Sequence, residues 1–374
     1  MVVKPFVLPP YPYDQLHAFK DGARERHGSI VDMSIGAPHD APPTEVVEAL
    51  AGSGAERGYP PSIGSAEYRH AASTWLQTQC DVTVSPDQIG ATIGLKEFVA
   101  GLPHWLHLKD PSKDTVLYPA VSYPSYAMGA ELAHCRAVAV PVDDQWRMRL
   151  DAIDDADRDR ALLLWVNSPG NPAGAIEDLG AAASWGRTHA IPVVSDECYI
   201  EFIWDGPRQT ILNHGTDGVL AVHSLSKRSN LAGVRAGYYA GDPELVHWLR
   251  EIRKHTGAMM PGPSQHAAAI ALGDQGHVDA QRELYRRRMT AMISFLSKVG
   301  LDAEMPEGGF YLWVKVPSGT GWDLAEELAD RFGLIVSPGD FYGSVSSDYV
   351  RIAVVQDQDA IATLEDRLAN GVPG

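Results

Sequence analysis

The chain has 374 residues, of which 45% are apolar and 21% charged, as in an ordinary soluble globular protein. Its formal net charge of −17 disfavours nucleic acid and anionic membranes as partners. The first residues lack the apolar core of a secretory signal, and no stretch approaches the roughly 18 unbroken apolar residues of a membrane span. We therefore expect a cytoplasmic, soluble, acidic protein of the size of an enzyme, which binds neither nucleic acid nor membrane.

The first half of the chain alternates between helical and strand-like patterns. After a proline-rich arm that reaches Pro12, apolar residues at Leu16 and Phe19 begin a helical pattern. This alternation predicts an α/β fold, with a mostly parallel sheet that carries helices on both faces. The helical patterns cover 65–80, 95–108, 126–133 and 177–189, and the short apolar runs cover 115–118, 137–142, 161–166, 191–194 and 218–222.

The pattern changes after Pro261-Gly262-Pro263. A long helical pattern at 277–298 is followed by three well-separated apolar runs, each of which is followed by polar or helical sequence. This order predicts a smaller α+β lobe, with a domain boundary near residue 262. The runs cover 309–316, 334–337 and 349–355, and further helical patterns cover 322–332 and 357–368.

Polar residues follow three consecutive apolar runs of the predicted sheet. They occupy Asn167 to Gly174, Ser195 to Tyr199, and His223 to Lys227. Parallel α/β sheets bind ligands outside the carboxyl ends of their strands. We therefore expect an amide, a carboxylate with a phenol, and a lysine with two hydroxyls to meet at one edge of the sheet.

Lys227 is the first candidate catalytic residue. A single loop lysine is usually a surface residue, but this one follows a buried strand and lies among small hydroxyl residues. A desolvated lysine, or one held near other cations, has a lowered pKa and acts as an amine nucleophile. Ser224, Ser226 and Arg235 offer two hydroxyls and a guanidinium, which suit a phosphate dianion. A reactive lysine beside a phosphate site indicates pyridoxal 5′-phosphate.

Asp196, Tyr199 and Asn171 extend this hypothesis. A carboxylate at a buried strand end is costly unless it is paired, so Asp196 is either a structural cap or ion-pair partner, or the partner of a protonated pyridine nitrogen. Tyr199 and Asn171 could both donate hydrogen bonds to the phenolate oxygen of that ring. The alternative for Asn171 is a turn residue before Pro172.

These segments together resemble class I and II pyridoxal-phosphate aminotransferases. The resemblance rests on NSPGNPAG at 167–174, SDECY at 195–199, and SLSK at 224–227 with GVRAG at 233–237. It departs from the family at Ala173, where threonine is usual. The resemblance implies aminotransferase fold type I and a homodimer. It also implies an N-terminal arm with part of the small domain at 1–35, a large cofactor-binding domain at 36–262, and a small C-terminal domain at 263–374.

The resemblance also assigns cofactor contacts to individual residues. Gly94, Leu95 and Lys96 match the loop and helix N-terminus that receive the cofactor phosphate, which suits an anion physically. Leu95 stands where the family more often has a small hydroxyl residue. Tyr123 matches the aromatic residue that stacks on the pyridine ring, and Tyr59 matches a tyrosine that reaches the phosphate in the neighbouring subunit.

Substrate contacts are implied in the same way. Gly36 matches the glycine over the substrate carboxylate, and Arg351 matches the arginine that binds that carboxylate through two hydrogen bonds. Asn171 is expected to contact the substrate as well as the cofactor. Arg351 taken alone would read as a strand arginine in a surface ion pair.

The predicted reaction is transamination between amino acids and oxo acids, in which Lys227 also acts as the base. Segments 8–14, 225–233, 252–261 and 337–343 resemble N-succinyl-diaminopimelate aminotransferases of bacterial lysine biosynthesis. The resemblance predicts the glutamate/2-oxoglutarate pair and the pair N-succinyl-2-amino-6-oxopimelate/N-succinyl-LL-diaminopimelate as substrates. The distal carboxylates of the succinylated substrate would need further cations, for which Arg253, Lys254 and Arg57 are candidates.

Several other interpretations remain open at this point. The chain could be an aminotransferase for alanine, an aromatic amino acid or unsuccinylated diaminopimelate, or a carbon–sulfur lyase on the same scaffold. A non-enzymatic sensor is disfavoured, because such proteins carry a DNA-binding module ahead of this domain and the first 35 residues are too few to form one. His104 and His107 lack a third ligand, so no metal site is expected. The basic run at 286–288 is expected to be a solvated helix face.

Overall fold

The computed structural model describes residues 6–371. Its strands are β1 (Val31–Asp32), β2 (Ile89–Ile93), β3 (Thr115–Pro119), β4 (Arg136–Val140), β5 (Ala161–Asn167), β6 (Val193–Asp196), β7 (Val219–Ser224), β8 (Ala236–Gly241), β9 (Tyr311–Lys315), β10 (Leu334–Ile335), β11 (Ser337–Pro338) and β12 (Tyr349–Ala353). Its helices are α1 (His17–His27), α2 (Thr44–Gly52), α3 (Ala66–Cys80), α4 (Leu95–Lys109), α5 (Ser125–Leu132), α6 (Asp155–Asp159), α7 (Leu179–His189), α8 (Leu225–Arg228), α9 (Pro243–His255), α10 (Gly262–Gly273), α11 (Gly276–Lys298), α12 (Gly321–Phe332) and α13 (Gln358–Asn370).

A seven-stranded sheet forms the centre of the large lobe. Its strand order is β2-β8-β7-β6-β5-β3-β4, and only β8 runs antiparallel to its neighbours. Every residue of β5, β6 and β7 is buried, which explains why these strands read as continuous apolar runs. The predicted α/β class with a mostly parallel sheet is therefore confirmed.

Helices cover both faces of this sheet. On one face α3, α7 and α10 bury residues such as Leu76, Leu179 and Ala268 against the strands. On the other face α4, α5 and α9 bury Phe98 and Leu249. The central strands β5, β6 and β7 are thus excluded from water on both sides, and their ends are left to bind ligands.

Strands β2 and β8 were not predicted from the sequence. The β8 sequence, AGYYAG, overlaps the GVRAG segment and has glycine near both ends, so its strand propensity is weak. The strand forms because both of its edges pair, with β7 on one side and β2 on the other. Tertiary pairing here outweighs local preference.

A smaller lobe is built from both ends of the chain. Strands β11, β12 and β9 form an antiparallel sheet, and β1 pairs in parallel with β10. The apolar run predicted at 334–337 is divided at Val336, because β10 and β11 belong to different sheets. This lobe has its own core, which includes Met289, Phe295, Leu312 and Ile352.

The position of α10 bears on the domain boundary. Its residues Ala267, Ala268 and Leu272 share a core with Leu76 of α3 rather than with the smaller lobe. We propose that the large lobe extends to about Gly273 and that the smaller lobe begins with α11. The division at residue 262 stays a prediction.

Within residues 6–371, none of the helices combines the length and the apolar character that a membrane crossing requires.

The basic run at 286–288 is not uniformly solvated, contrary to expectation. Arg288 is buried and donates two hydrogen bonds to the Asp40 carboxylate, at 2.6 and 2.7 Å. Arg286 donates to the Trp204 carbonyl oxygen, and Arg287 alone is exposed.

Glu201 connects the helices α3 and α8 with two residues that lie outside helices, Arg208 and Gln275. Its buried carboxylate accepts hydrogen bonds from Trp75 of α3 at 3.1 Å and from Arg228 of α8 at 2.9 Å. Arg208 and Gln275 donate to its other oxygen, at 2.7 and 3.1 Å. The short helix that carries Lys227 is therefore held from below by a buried ion pair.

We expect Glu201→Ala to lower the free energy of unfolding by about 3–5 kcal/mol, because the buried Arg228 guanidinium loses its carboxylate partner. Urea denaturation followed by circular dichroism measures this. As a control, Asp151→Ala removes an exposed carboxylate that pairs with Arg149, and the midpoint should not change. Equal midpoints for Glu201→Ala and the wild type would contradict a stabilising role for the pair.

Candidate active site

One cavity of about 210 Å³ lies where the carboxyl ends of the parallel strands meet the smaller lobe. Nearly all of the predicted site residues line it. The exceptions are Tyr59 and Gly94, the latter being the residue before Leu95. The lining residues from the predicted set are Gly36, Leu95, Lys96, Tyr123, Asn171, Asp196, Tyr199, Ser224, Ser226, Lys227, Arg235 and Arg351.

Lys227 lies on α8, directly after β7. The Ser224 side chain caps this short helix by accepting a hydrogen bond from the Ser226 amide at 3.1 Å. The Lys227 ammonium contacts the carbonyl oxygen of Gly36. Burial, together with the positive charges of Arg351 and Arg235, lowers the pKa of Lys227 to about 8. A substantial fraction of this amine is therefore neutral near physiological pH, as a nucleophile or base requires.

Asp196 is the last residue of β6. Its carboxylate accepts hydrogen bonds from the Tyr126 hydroxyl at 2.8 Å and from the Cys198 amide at 3.2 Å. Burial raises the pKa of this carboxyl above its usual value. A cationic partner in the cavity would therefore stabilise its ionised form. The two donors fix the direction in which the carboxylate faces.

Anion-binding groups converge at the start of α4. Gly94 precedes the helix with a φ of 65°, and a Cβ at this position would overlap the Arg235 guanidinium. The Gly94 amide donates to the Arg235 carbonyl oxygen at 2.9 Å, which joins the two segments. Backbone amides in the first turn of a helix, such as those of Leu95 and Lys96, have no acceptor within the helix. Glycine is needed here because the loop and the guanidinium approach each other so closely.

These residues fit pyridoxal phosphate. The guanidinium of Arg235 and the amides of the α4 N-terminus suit a phosphate, while the buried carboxylate of Asp196 suits a cationic ring nitrogen. The Lys227 amine lines the same cavity as both groups. Anionic and cationic ends of one ligand would thus each meet the opposite charge.

Arg351 lies on β12 and reaches the cavity from the smaller lobe. Its guanidinium is 2% exposed and donates to the Asn171 side-chain oxygen at 2.8 Å and to the Ser34 carbonyl oxygen at 2.6 Å. The rings of Tyr311 and Tyr342 flank it, with centroids at 4.2 and 4.7 Å. The Arg351 Nε atom has no hydrogen-bond partner within the part of the chain that the structure describes. A carboxylate ligand would supply one.

Gly36 and Tyr311 are in close contact beside Arg351. A Cβ at Gly36 would overlap the Tyr311 ring, so only glycine lets the loop approach this closely. The hydroxyl groups of Tyr311 and Tyr199 are 2.6 Å apart and hydrogen-bonded. Tyr199, which follows β6, therefore contacts the smaller lobe across the cavity.

The N-terminal segment forms part of the mouth of the cavity. Tyr11 and Tyr13 line it, and the Lys96 ammonium lies 3.2 Å from the Tyr11 hydroxyl and over the Tyr11 ring. Tyr13 and Tyr342 are hydrogen-bonded through their hydroxyls at 3.3 Å. The ammonium of Lys96 therefore lies at the rim, where a ligand enters.

Several residues of the site were not among those predicted from the sequence. Tyr126 orients Asp196, Tyr311 flanks Arg351, and Tyr13 lines the mouth. Asn167 donates to the Asp196 carbonyl oxygen at 2.8 Å and accepts a hydrogen bond from the Asn171 amide at 2.8 Å. Asn167 had a signal as the last residue of a buried strand, Tyr126 lies three residues after Tyr123, and Tyr13 lies within segment 8–14. Only Tyr311 lies far in sequence from every segment used for the prediction of the site.

Tyr59 and the three candidate cations for distal carboxylates lie outside this cavity. Tyr59 is 96% exposed in the loop between α2 and α3. Arg253 is 1% exposed and pairs with Glu97, so its assignment to a distal carboxylate is wrong. Lys254 pairs with Glu251 on the surface of α9, and Arg57 is exposed near Tyr59.

Within residues 6–371, no three His, Cys, Asp or Glu side chains are grouped in a way that could hold a metal ion. His107 lies at the side of α4, where its ring bonds to the Lys113 carbonyl oxygen.

Comparison with known proteins identifies related chains over almost the whole length. The family model described as aminotransferase class I and II matches residues 29–368. A transaminase from Streptomyces rimosus, named 4-dedimethylamino-4-oxo-anhydrotetracycline transaminase OxyQ, is 38% identical and covers 96% of this chain and 99% of its own. An LL-diaminopimelate aminotransferase from Aquifex aeolicus is 30% identical and covers 97% of each chain.

A solved structure from Thermus thermophilus has the same fold. It is described as a probable N-succinyldiaminopimelate aminotransferase, is 27% identical and has a TM-score of 0.87. The match covers 96% of this chain and 99% of the other.

We expect Lys227→Met to raise the melting temperature of the cofactor-free protein below pH 8. The folded-state pKa of about 8 lies below the usual 10.5, so the folded wild type disfavours the ammonium. Burial of the ammonium therefore lowers the free energy of unfolding of the wild type by about 1–3 kcal/mol below pH 8. This destabilisation should decrease as the pH rises from 8 to 10.5, because the buried amine is neutral there in the folded state. Differential scanning calorimetry near pH 6.5 and pH 10 measures the difference.

Lys254→Met is the matched control, because Lys254 is an exposed lysine paired with Glu251. It should show no such pH-dependent gain. A lower melting temperature for Lys227→Met than for the wild type at pH 6.5 would contradict the buried-amine interpretation.

Proposed function

Because this chain belongs to the class I and II aminotransferases, which depend on pyridoxal 5′-phosphate, we propose that it transfers an amine between a dicarboxylic amino acid pair and a longer anionic substrate in the cytoplasm. The glutamate/2-oxoglutarate pair is the proposed partner in the exchange. Bound pyridoxal phosphate supplies an aldehyde for amine exchange and a ring that takes up the electrons released when an α-proton leaves.

The charge of the cavity is the observation that carries this proposal. Four cationic side chains line it, those of Lys96, Lys227, Arg235 and Arg351, against the single carboxylate of Asp196. The chain as a whole has a formal net charge of −17, so the positive charge of the cavity is opposite in sign to that of the whole chain. Such a site concentrates anions, and amino acids, oxo acids and phosphate esters are all anionic.

We assign the cofactor to residues of the large lobe. Arg235, the α4 N-terminal amides, Ser224 and Ser226 would hold its phosphate, and Asp196 would pair with its ring nitrogen. Tyr123 would cover one face of the ring, and Tyr199 and Asn171 would contact its phenolate oxygen. The pairing with Asp196 matters most for chemistry, because it keeps a proton on the ring nitrogen.

Lys227 is the proposed acid–base group. Its lowered pKa lets the neutral amine accept the α-proton of the substrate and then return a proton nearby. The contact with the Gly36 carbonyl oxygen orients the amine toward the loop that would cover the substrate carboxylate. One residue can therefore serve both proton transfers of a transamination.

Arg351 is the proposed carboxylate clamp. Its guanidinium is already oriented by Asn171 and Ser34, and the flanking tyrosine rings keep water from its faces. A planar guanidinium binds a carboxylate through two parallel hydrogen bonds. Both amino acids in the exchange carry an α-carboxylate, so one clamp can serve both.

For the second substrate pair we propose N-succinyl-LL-diaminopimelate and its oxo acid. The 27% identity to a probable N-succinyldiaminopimelate aminotransferase and the 30% identity to an LL-diaminopimelate aminotransferase both support a diaminopimelate substrate. Lys96 at the mouth is available to one distal carboxylate. Unsuccinylated LL-diaminopimelate is the second candidate, favoured by the name of the relative from Aquifex aeolicus.

A homodimer would complete this site. Tyr59 and Arg57 lie in one exposed loop, and apolar residues of the N-terminal arm, including Val7 and Leu8, are also exposed. We propose that this loop reaches the cavity of a second copy. Tyr59 would then contact the cofactor phosphate, and Arg57 would meet a remaining distal carboxylate.

A substrate panel tests the proposed specificity. With 2-oxoglutarate as acceptor, we expect kcat/KM to be highest for N-succinyl-LL-diaminopimelate, lower for LL-diaminopimelate, and lowest for alanine and phenylalanine. Arg351→Ala should lower kcat/KM for every donor by about 10- to 100-fold, because all share the α-carboxylate. Arg57→Ala should affect only the succinylated donor.

The panel separates the alternatives. A preference for LL-diaminopimelate or for an aromatic donor would move the substrate assignment within the family. Release of pyruvate and ammonia from cystathionine without an acceptor would show a lyase instead.

For the shared site, we expect Tyr59→Phe to weaken retention of pyridoxal phosphate, because one hydroxyl contact with the phosphate is lost; the fall in affinity should be about 5- to 10-fold. Equilibrium dialysis of the protein against the cofactor measures it. Tyr118→Phe is the control, since this tyrosine lies on β3 outside the cavity lining. Unchanged retention in Tyr59→Phe would argue against a site shared between subunits.

A further inference from the structure

We propose that Arg253 is a positioning residue for the cofactor phosphate, which acts by neutralising Glu97 at the N-terminus of α4. Arg253 touches neither the cavity nor a ligand site, so the effect passes through Glu97. The inference rests on the cofactor of the family and not on the proposed substrate.

Glu97 is bound to the turn that precedes the phosphate-binding helix. It is the third residue of α4, and its Oε1 atom accepts a hydrogen bond from the Ile93 amide at 2.8 Å. Ile93 directly precedes Gly94, the residue packed against Arg235. The carboxylate therefore holds the turn in the shape that lets Gly94 approach the guanidinium.

The negative charge of that carboxylate also opposes the binding of a phosphate at the same helix end. A negative charge in the first turn stabilises a helix, but here the same helix end is the proposed binding site of a phosphate dianion. Two anions at one helix N-terminus repel each other. Without a compensating cation, Glu97 would shape the turn correctly and weaken phosphate binding at the same time.

Arg253 supplies that cation from α9. Its Nη1 and Nη2 atoms donate to the two oxygens of Glu97 at 3.1 and 2.8 Å. Nη2 also lies 3.4 Å from the Ala91 carbonyl oxygen of β2. One guanidinium thus fixes the carboxylate and the strand that leads into the turn.

The surroundings of Arg253 exclude water from the cationic partner of this pair, while the Glu97 side chain is 29% exposed. Arg253 is 1% exposed, and its guanidinium packs over the rings of Trp105 and Phe98 at 4.9 and 5.5 Å. Interactions between charges are stronger where water is excluded. The pair therefore acts as a neutral unit that ties α9 to the start of α4.

The test compares the binding of pyridoxal phosphate with that of pyridoxal, which lacks the phosphate. Dissociation constants for both are measured by absorbance titration of the cofactor-free full-length protein. The variants are Arg253→Met, Arg253→Lys, Glu97→Gln and the double variant Glu97→Gln/Arg253→Met. Glutamine keeps an oxygen for the Ile93 amide but removes the charge.

We expect Arg253→Met to weaken binding of pyridoxal phosphate on the order of tenfold and to leave pyridoxal within about twofold, since only the phosphate meets the exposed charge of Glu97. The double variant should recover most of the loss, because the charge is gone. Arg253→Lys keeps a cation and should stay within about threefold of the wild type. Glu97→Gln should bind the phosphorylated form as tightly as the wild type or more tightly.

Three results would overturn the proposal. If the double variant binds pyridoxal phosphate as weakly as Arg253→Met, Arg253 acts by packing and not by charge. If Arg253→Met weakens both ligands equally, the effect does not pass through the phosphate. Should Arg253→Met fail to fold, Glu97→Gln still decides, because weaker binding of pyridoxal phosphate alone in that variant contradicts charge repulsion. None of these outcomes depends on turnover of any substrate.

Discussion

The structure depends on burying charged groups of opposite sign at the ends of neighbouring parallel strands. Asp196 ends β6, and Lys227 follows the end of β7. Neither charge would be tolerated in a sheet core without partners, because desolvation of an isolated ion is costly. The hydroxyl of Tyr126 and the backbone amide of Cys198 donate hydrogen bonds to the Asp196 carboxylate. Burial lowers the pKa of the Lys227 amine. Burial therefore makes an unpaired charge costly for folding, and it also gives Lys227 the lowered pKa of a reactive amine.

Further ion pairs, each with a buried arginine, support these groups from outside the cavity. Glu201 holds Arg228 beneath the lysine helix, Glu97 pairs with Arg253 behind α4, and Asp40 pairs with Arg288 beside the loop of Gly36. Each pair lies next to a segment that lines the site, and each joins elements far apart in sequence. Charged side chains that read as ordinary surface residues in the sequence are therefore part of the scaffold that orders the cavity.

The division of the site between two lobes has a physical consequence. The residues assigned to the cofactor come from the large lobe, whereas Arg351 comes from the smaller one. Tyr199 and Tyr311 bridge the two through their hydroxyls. A substrate bound by Arg351 and a cofactor bound by Arg235 would therefore contact both lobes at once, which would couple ligand binding to the way the lobes meet.

The sequence by itself determined the α/β class, most helices and strands, and the set of polar residues at three strand ends. These features are local: apolar runs long enough to be buried are followed directly by the residues that the strand ends present, as at Asn167, Asp196 and Ser224. Only the tertiary structure decided that AGYYAG would form an antiparallel central strand. It also decided that Tyr126, Tyr311 and Tyr13 would line the site, and that Arg253 would form an ion pair with Glu97. The physical reason is that pairing of strand edges, stacking of rings and neutralisation of buried charges depend on residues separated by up to hundreds of positions, and no local pattern records such neighbours.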